Sequence, residues 1–172
     1  MVEQRDNQIT SVSFWWRKYG IDVSSFFIEG FEACKESRLR LLHFKILHNI
    51  YPTNILLYKM KIKNSSLCEN CQKTDFIEHF FFHCNKLQGY WKHVSNTIFI
   101  KTEVRIDINE TIALFGIDKT NSHIKTNSKK RTKINHILLV AKMCISKARY
   151  GKCPNAKLLF ETEMHLRERS FQ

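Results

Sequence analysis

Apolar side chains recur along much of the chain at steps of three and four, the period of a helix with one face turned inward. A clear stripe is Leu39, Leu42, His43, Ile46, Leu47 and Ile50. Ser37 stands where a cap would. Pro52 closes the run, because Tyr51 before it is biased away from helical backbone. Upstream, Asp22 or Ser24 can cap a helix running through Phe27, Ile28 and Phe31 towards Cys34. Downstream, Thr53 can cap a short helix carrying Ile55, Leu56, Leu57 and Met60, before the turn residues Asn64, Ser65 and Ser66. Leu87, Tyr90, Trp91, Val94 and Ile98 predict an amphipathic helix folded back on the core. Residues 104–108 alternate, as a short strand or extended segment does. Residues 111–115 are short and apolar, with Gly116 to end them. The longest stripe is Ile134, Ile137, Leu138, Ala141, Cys144, Ile145 and Ala148, capped by Gly151 and followed by Pro154. A last helix runs from about Asn155 through Leu158, Leu159, Phe160 and Met164 to Leu166. The pattern predicts a mainly α fold.

Polar stretches divide these elements. Residues 1–20 read as a loosely ordered N-terminal segment, 21–118 as a helical domain, 119–132 as a polar basic linker and 133–172 as a C-terminal helical pair. The linker rests on residues 120–132, rich in Asn, Ser, Thr and Lys without an apolar period. Of 172 residues, 43% are apolar and 12% aromatic, enough for a core rather than disorder. Residues 1–10 hold no apolar stretch of the kind a secretory signal needs, and no run approaches the ~20 apolar residues that span a bilayer. A soluble intracellular protein, with no membrane partner, is the expectation.

Charge sharpens this picture. The net charge is +12, and it is blocked. Residues 38–67 hold six basic side chains and no acid; residues 119–160 hold eleven and no acid. Such blocks suit a surface that meets nucleic acid. An AT-rich coding bias is the competing source, since Lys outnumbers Arg 19 to 9. Bias alone does not readily remove acids from two long stretches. The candidate phosphate contacts are Arg38, Arg40, Lys45, Lys59, Lys61 and Lys63 in the first block, and Lys129, Lys130, Arg131 and Lys133 in the second.

Cysteine spacing adds the specific chemistry. Cys68, Cys71, His79 and Cys84 form a C-x2-C-x7-H-x4-C run. Three thiolates and an imidazole are the ligand set of a closed, tetrahedral structural zinc site. The Cys pair can bind from a tight turn, and the His/Cys pair from a short helix. A segment built this way gains roughly 10–16 kcal/mol from its metal and should not hold its shape without it. On spacing alone the fourth ligand stays open: His79 and His83 are i and i+4 on a helix, whereas Cys84 at i+5 needs a helix that is ending. Cys34 and Cys144 fall within helical patterns as small core residues, and Cys153 beside Pro154 reads as an exposed thiol. A disulfide framework is disfavoured in a reducing compartment. Phe80, Phe81 and Phe82 point about 100° apart if helical, so two can enter a core and the third faces outwards.

From about Phe31 to Trp91 the chain resembles the zinc-binding segment that follows the reverse transcriptase of non-LTR retrotransposons, the long interspersed elements. The resemblance is carried by the basic stretch from Arg38-Leu39-Arg40 to Ile50-Tyr51, by Leu57-Tyr58-Lys59-Met60, by Cys68 and Cys71, by Glu78-His79 to Cys84, and by Trp91. Residues 138–160, with Ala141-Lys142 and with Pro154 ahead of Phe160, are similar to the tail beyond that knuckle. The resemblance implies a small helical domain organised around a CCHC zinc knuckle, with Cys84 rather than His83 as fourth ligand and a structural Zn2+. It implies nucleic-acid binding, a reverse transcriptase polypeptide as a second partner, and a place in the nucleus or a cytoplasmic ribonucleoprotein; RNA or single-stranded DNA is favoured over duplex DNA because the sequence shows no recognition-helix motif. It does not imply catalysis. The chain has no Asp-Asp pair for a polymerase and no Pro-Asp motif for a nuclease, since Pro52 precedes Thr53 and Pro154 precedes Asn155. Two further readings stand beside this one: a module docking on a polymerase or other protein, and a non-functional remnant of such an element.

Overall fold

In a computed structural model, which describes residues 11–121 and 123–169, the apolar stripes condense into helices. Among the described residues there are eight α-helices: α1 (Ser11–Tyr19), α2 (Ser24–Ala33), α3 (Ser37–Leu47), α4 (Asn54–Lys59), α5 (Tyr90–Thr102), α6 (Glu110–Phe115), α7 (Ser128–Tyr150) and α8 (Ala156–Arg169). No strand occurs among them; one isolated antiparallel bridge joins Leu67 to Thr74. Residues 104–108 take the extended alternative, with Val104, Ile106 and Ile108 buried and Arg105 and Asp107 exposed.

The post of the fold is α7, about 34 Å long at 1.5 Å per residue. Ile134, Ile137, Leu138, Ala141, Cys144 and Ile145 are all at most 3% exposed, as the stripe predicts. Leu139, Val140 and Lys142 are equally buried, because α2, α3, α5 and α8 surround the helix on more than one side. Lys142 sits at the centre. Its Nζ donates to Leu114 O at 2.7 Å and lies 3.4 Å from His43 Nδ1, while His43 Nε2 lies 3.0 Å from Phe26 O. Gly30 makes the room: a Cβ there would stand 2.3 Å from His43 Cδ2.

Two boundaries differ from the sequence expectation. The expected loose segment contains α1, anchored by Trp15, which is fully buried, donates from Nε1 to Leu47 O at 2.8 Å, and meets the Phe115 ring edge-on at 5.1 Å. Its residues 1–10 lie outside the described residues, as do Ser122 of the expected linker and residues 170–172 of the expected C-terminal segment. The expected linker is partly built in. Asp118 accepts from Ser25 Oγ at 2.6 Å and Thr120 N at 2.9 Å, and Ile124 is buried. Asn127 Oδ1 accepts from Lys130 N at 2.8 Å, so α7 starts inside that stretch, before its apolar period begins.

Candidate metal centre

The Cys68–Cys71 turn is a hairpin closed by main-chain bonds. Cys68 N donates to Lys73 O at 2.8 Å, Gln72 N to Cys68 O at 2.9 Å and Asp75 N to Ser66 O at 3.0 Å, with Gln72 in the left-handed region at φ 56°. The chain then enters a π-helical turn, His79–His83, in which Cys84 N donates to His79 O at 3.0 Å. That i→i+5 bond widens the turn and brings residues five apart onto one side. Cys84 thereby joins the cluster, while His83 is exposed and pairs through Nε2 with Glu110 Oε1 at 3.0 Å.

Cys68 Sγ lies 3.9 Å from Cys84 Sγ, Cys71 Sγ lies 3.1 Å from His79 Nε2, and all four ligand atoms lie within 4.8 Å of one another. Zn–S bonds of about 2.3 Å and a Zn–N bond of about 2.0–2.1 Å place tetrahedral ligand atoms roughly 3.5–3.8 Å apart, so the set fits this ion. Cys68, His79 and Cys84 are buried and Cys71 half-buried, as in a closed structural site. Burial opposes ionisation of Cys68, but the amides of Asn70 and Cys71 and the Arg149 charge outweigh it and hold the thiol below its ordinary value. Burial pushes Cys84 up to about 11, with the neighbouring Cys68 adding to it. Burial also lowers His79, favouring the neutral imidazole that a metal takes. Three sulfurs crowded together suit a cation that would ionise them jointly.

Phe80 and Phe81 enter the core against Tyr51, at ring distances of 5.1 and 4.8 Å, and Phe82 is half-buried. Trp91 Nε1 donates to Phe81 O at 2.9 Å. The expected exposed thiol, Cys153, is half-buried, while Cys34 and Cys144 are buried as expected.

Sequence reasoning missed the clamp that fastens this centre to α7. Asp75, fully buried, pairs with Arg149 at 2.7 Å and also accepts from Asn54 N at 2.9 Å, covering the start of α4. The Arg149 guanidinium lies 4.4 Å over the Phe80 ring. Tyr51 Oη and Ser146 Oγ are hydrogen-bonded at 2.6 Å, and Tyr150 Oη donates to Pro52 O at 2.6 Å. Arg149→Met would leave Asp75 buried without its cation. We expect a loss of about 3–5 kcal/mol in urea unfolding, partly restored by Asp75→Asn in the same chain. A loss below 1 kcal/mol would show that the clamp is dispensable.

The candidate phosphate contacts divide. Arg38, Lys59, Lys61, Lys129 and Lys133 are exposed, and Lys45 is half-buried. Lys130 lies 3.5 Å from Glu103. Lys63 bonds to Asn54 Oδ1 at 3.0 Å and Glu69 Oε1 at 2.8 Å. Arg40 donates to Cys34 O at 2.6 Å and Phe31 O at 3.0 Å, closing the end of α2. Arg131 departs from the expectation: it is buried and paired with buried Glu29 at 3.0 Å, so it offers no phosphate contact.

Fold and site together define a helical zinc-binding domain with a Cys3His cluster. A family model described as zinc-binding in reverse transcriptase matches residues 1–91, and the chain belongs to that family. The match contains all four cluster residues and ends at Trp91; α6, α7 and α8 lie beyond it. The family is an accessory zinc-binding domain, not a catalytic one. Comparison with curated proteins and with solved structures gave no match. Among the described residues no helix is long and apolar enough to cross a membrane.

Proposed function

We propose that this chain is a non-catalytic, zinc-stabilised module that binds RNA or single-stranded DNA, working beside a reverse transcriptase polypeptide in the nucleus or a cytoplasmic ribonucleoprotein. The metal would be structural, held by Cys68, Cys71, His79 and Cys84. The observation that carries the reading is the outward set Arg38, Lys59, Lys61, Lys129 and Lys133, drawn from the two acid-free stretches. The buried carboxylates among the described residues have structural partners: Asp75 holds Arg149, Glu29 holds Arg131, Glu78 holds Lys18, and Asp118 holds Ser25.

Titrating a labelled single-stranded RNA at increasing salt tests this. With five phosphate contacts, log K should fall by roughly 3.5 per decade of salt. Absent or salt-insensitive binding would overturn the reading.

A second reading, docking onto a polymerase or other polypeptide, draws on Tyr58, Met60 and Ile62, which are exposed and alternate with Lys59 and Lys61. The buried Phe80 and Phe81 cannot serve it. Lys59→Gln/Lys61→Gln should weaken RNA binding while sparing capture of the polymerase; the reverse outcome favours docking.

A further inference from the structure

At the far end of α7 from the metal cluster, a cleft of about 360 Å³ opens between the end of α5 and the first turns of α7. Its walls carry Lys101, Lys129, Lys130 and Lys133, with Asn127 and Ile100. Among the described residues of the wall, Lys129, Lys130 and Lys133 stand with one acid, Glu103, which is highly exposed and lies 3.5 Å from Lys130. The like charges are close enough to act on each other: burial lowers the Lys101 ammonium, and the Lys133 charge lowers it further. Ile100, 79% exposed, is the most exposed large apolar side chain among the described residues, and it stands in this basic wall. Beside it, the Arg105 guanidinium lies 4.8 Å over the partly exposed Phe99 ring.

We propose that this cleft is a grip for single-stranded nucleic acid, with Lys129, Lys130 and Lys133 on phosphodiesters and Ile100 against a base face. The proposal rests on the nucleic-acid reading above and places a principal contact outside the family-matched residues. A concentrated cationic cleft calls for a polyanion. An apolar side chain in its wall favours a flexible strand, because a duplex hides its base faces by stacking whereas a single strand offers them.

Anisotropy of a labelled twelve-residue oligouridylate, titrated across salt concentrations, tests the site on the full chain. Lys129→Gln/Lys133→Gln alters exposed positions, and an unchanged melting temperature checks that the variant folds. It should bind about tenfold more weakly near 100 mM salt, with the salt slope shallower by roughly 1.4, the share of two contacts. Ile100→Ala should weaken binding and leave the slope unchanged, the mark of a non-ionic contact. Equal displacement of the labelled strand by polyglutamate or by a duplex of matched charge would overturn the single-strand assignment. Unaltered affinity and slope in Lys129→Gln/Lys133→Gln, with loss in Lys59→Gln/Lys61→Gln, would overturn the cleft and leave the nucleic-acid reading standing. No binding by the unaltered chain would overturn that reading itself.

Discussion

Stripping the metal should unfold this protein. A strong chelator is expected to release one zinc per chain and to abolish the cooperative melting transition at temperatures where the loaded chain is folded. Zinc contributes roughly 10–16 kcal/mol to small zinc modules, against about 5–15 kcal/mol for the whole stability of a typical domain. The loss would not stay local. Phe80 and Phe81, between the ligands, belong to the common core, and Asp75, seven residues beyond Cys68, is clamped to α7. Cys84→Ser should therefore behave like the chelated protein. His83→Ala should keep one equivalent of zinc and lose little, since it removes only an exposed pair with Glu110. Metal analysis and urea melts of the two variants decide the matter: zinc retained by Cys84→Ser and lost by His83→Ala would reverse the ligand assignment.

The second large effect concerns Lys142. Burial lowers its ammonium to about 7, and burial together with the Lys142 charge lowers His43 to about 3. The unfolded lysine titrates near 10.5. Between pH 7 and 10.5 the unfolded chain therefore holds a proton that the folded chain has released, and stability rises with pH across that window. Below pH 7 the penalty is fully present, at most about 5 kcal/mol for a shift of this size. His43 adds a further loss as pH falls from 6.5 towards 3, because its unfolded form takes up a proton that its folded form refuses. Lys142→Met removes the buried charge and leaves Leu114 O without its donor, which costs about 1–3 kcal/mol. The net expectation is a protein stabilised by roughly 1–4 kcal/mol at pH 6, whose stability no longer climbs between pH 7 and 10. Denaturant melts of both proteins across that range check it, and parallel profiles would sink the idea.

These two features were unequally legible in the chain. The ligand set could be read from spacing, because a zinc site draws its ligands from a short stretch. That Cys84 rather than His83 lies in the cluster could not, because it depends on a π turn that no hydrophobic period encodes. The stripes of α3, α5 and α7 were visible as repeats, whereas α1 depends on Trp15 reaching Leu47 across the fold. Charge counting misled most. Arg131, Lys142 and Arg149 sit in an acid-free stretch that reads as one basic surface, yet all three turn inwards. Their partners, Glu29, Leu114 O and Asp75, lie far back in the chain, and only the folded arrangement discloses them.

The Asp75–Arg149 clamp also has an order in time. On the ribosome the hairpin and its cysteines emerge about seventy residues before Arg149 does, an interval of roughly 4–15 s at ordinary elongation speeds. The ligands of the nascent knuckle are thus complete before its supporting helix exists, and Asp75 stays hydrated until α7 arrives to dehydrate it. Synthesis of α7 is the event that turns the hairpin into part of a folded body.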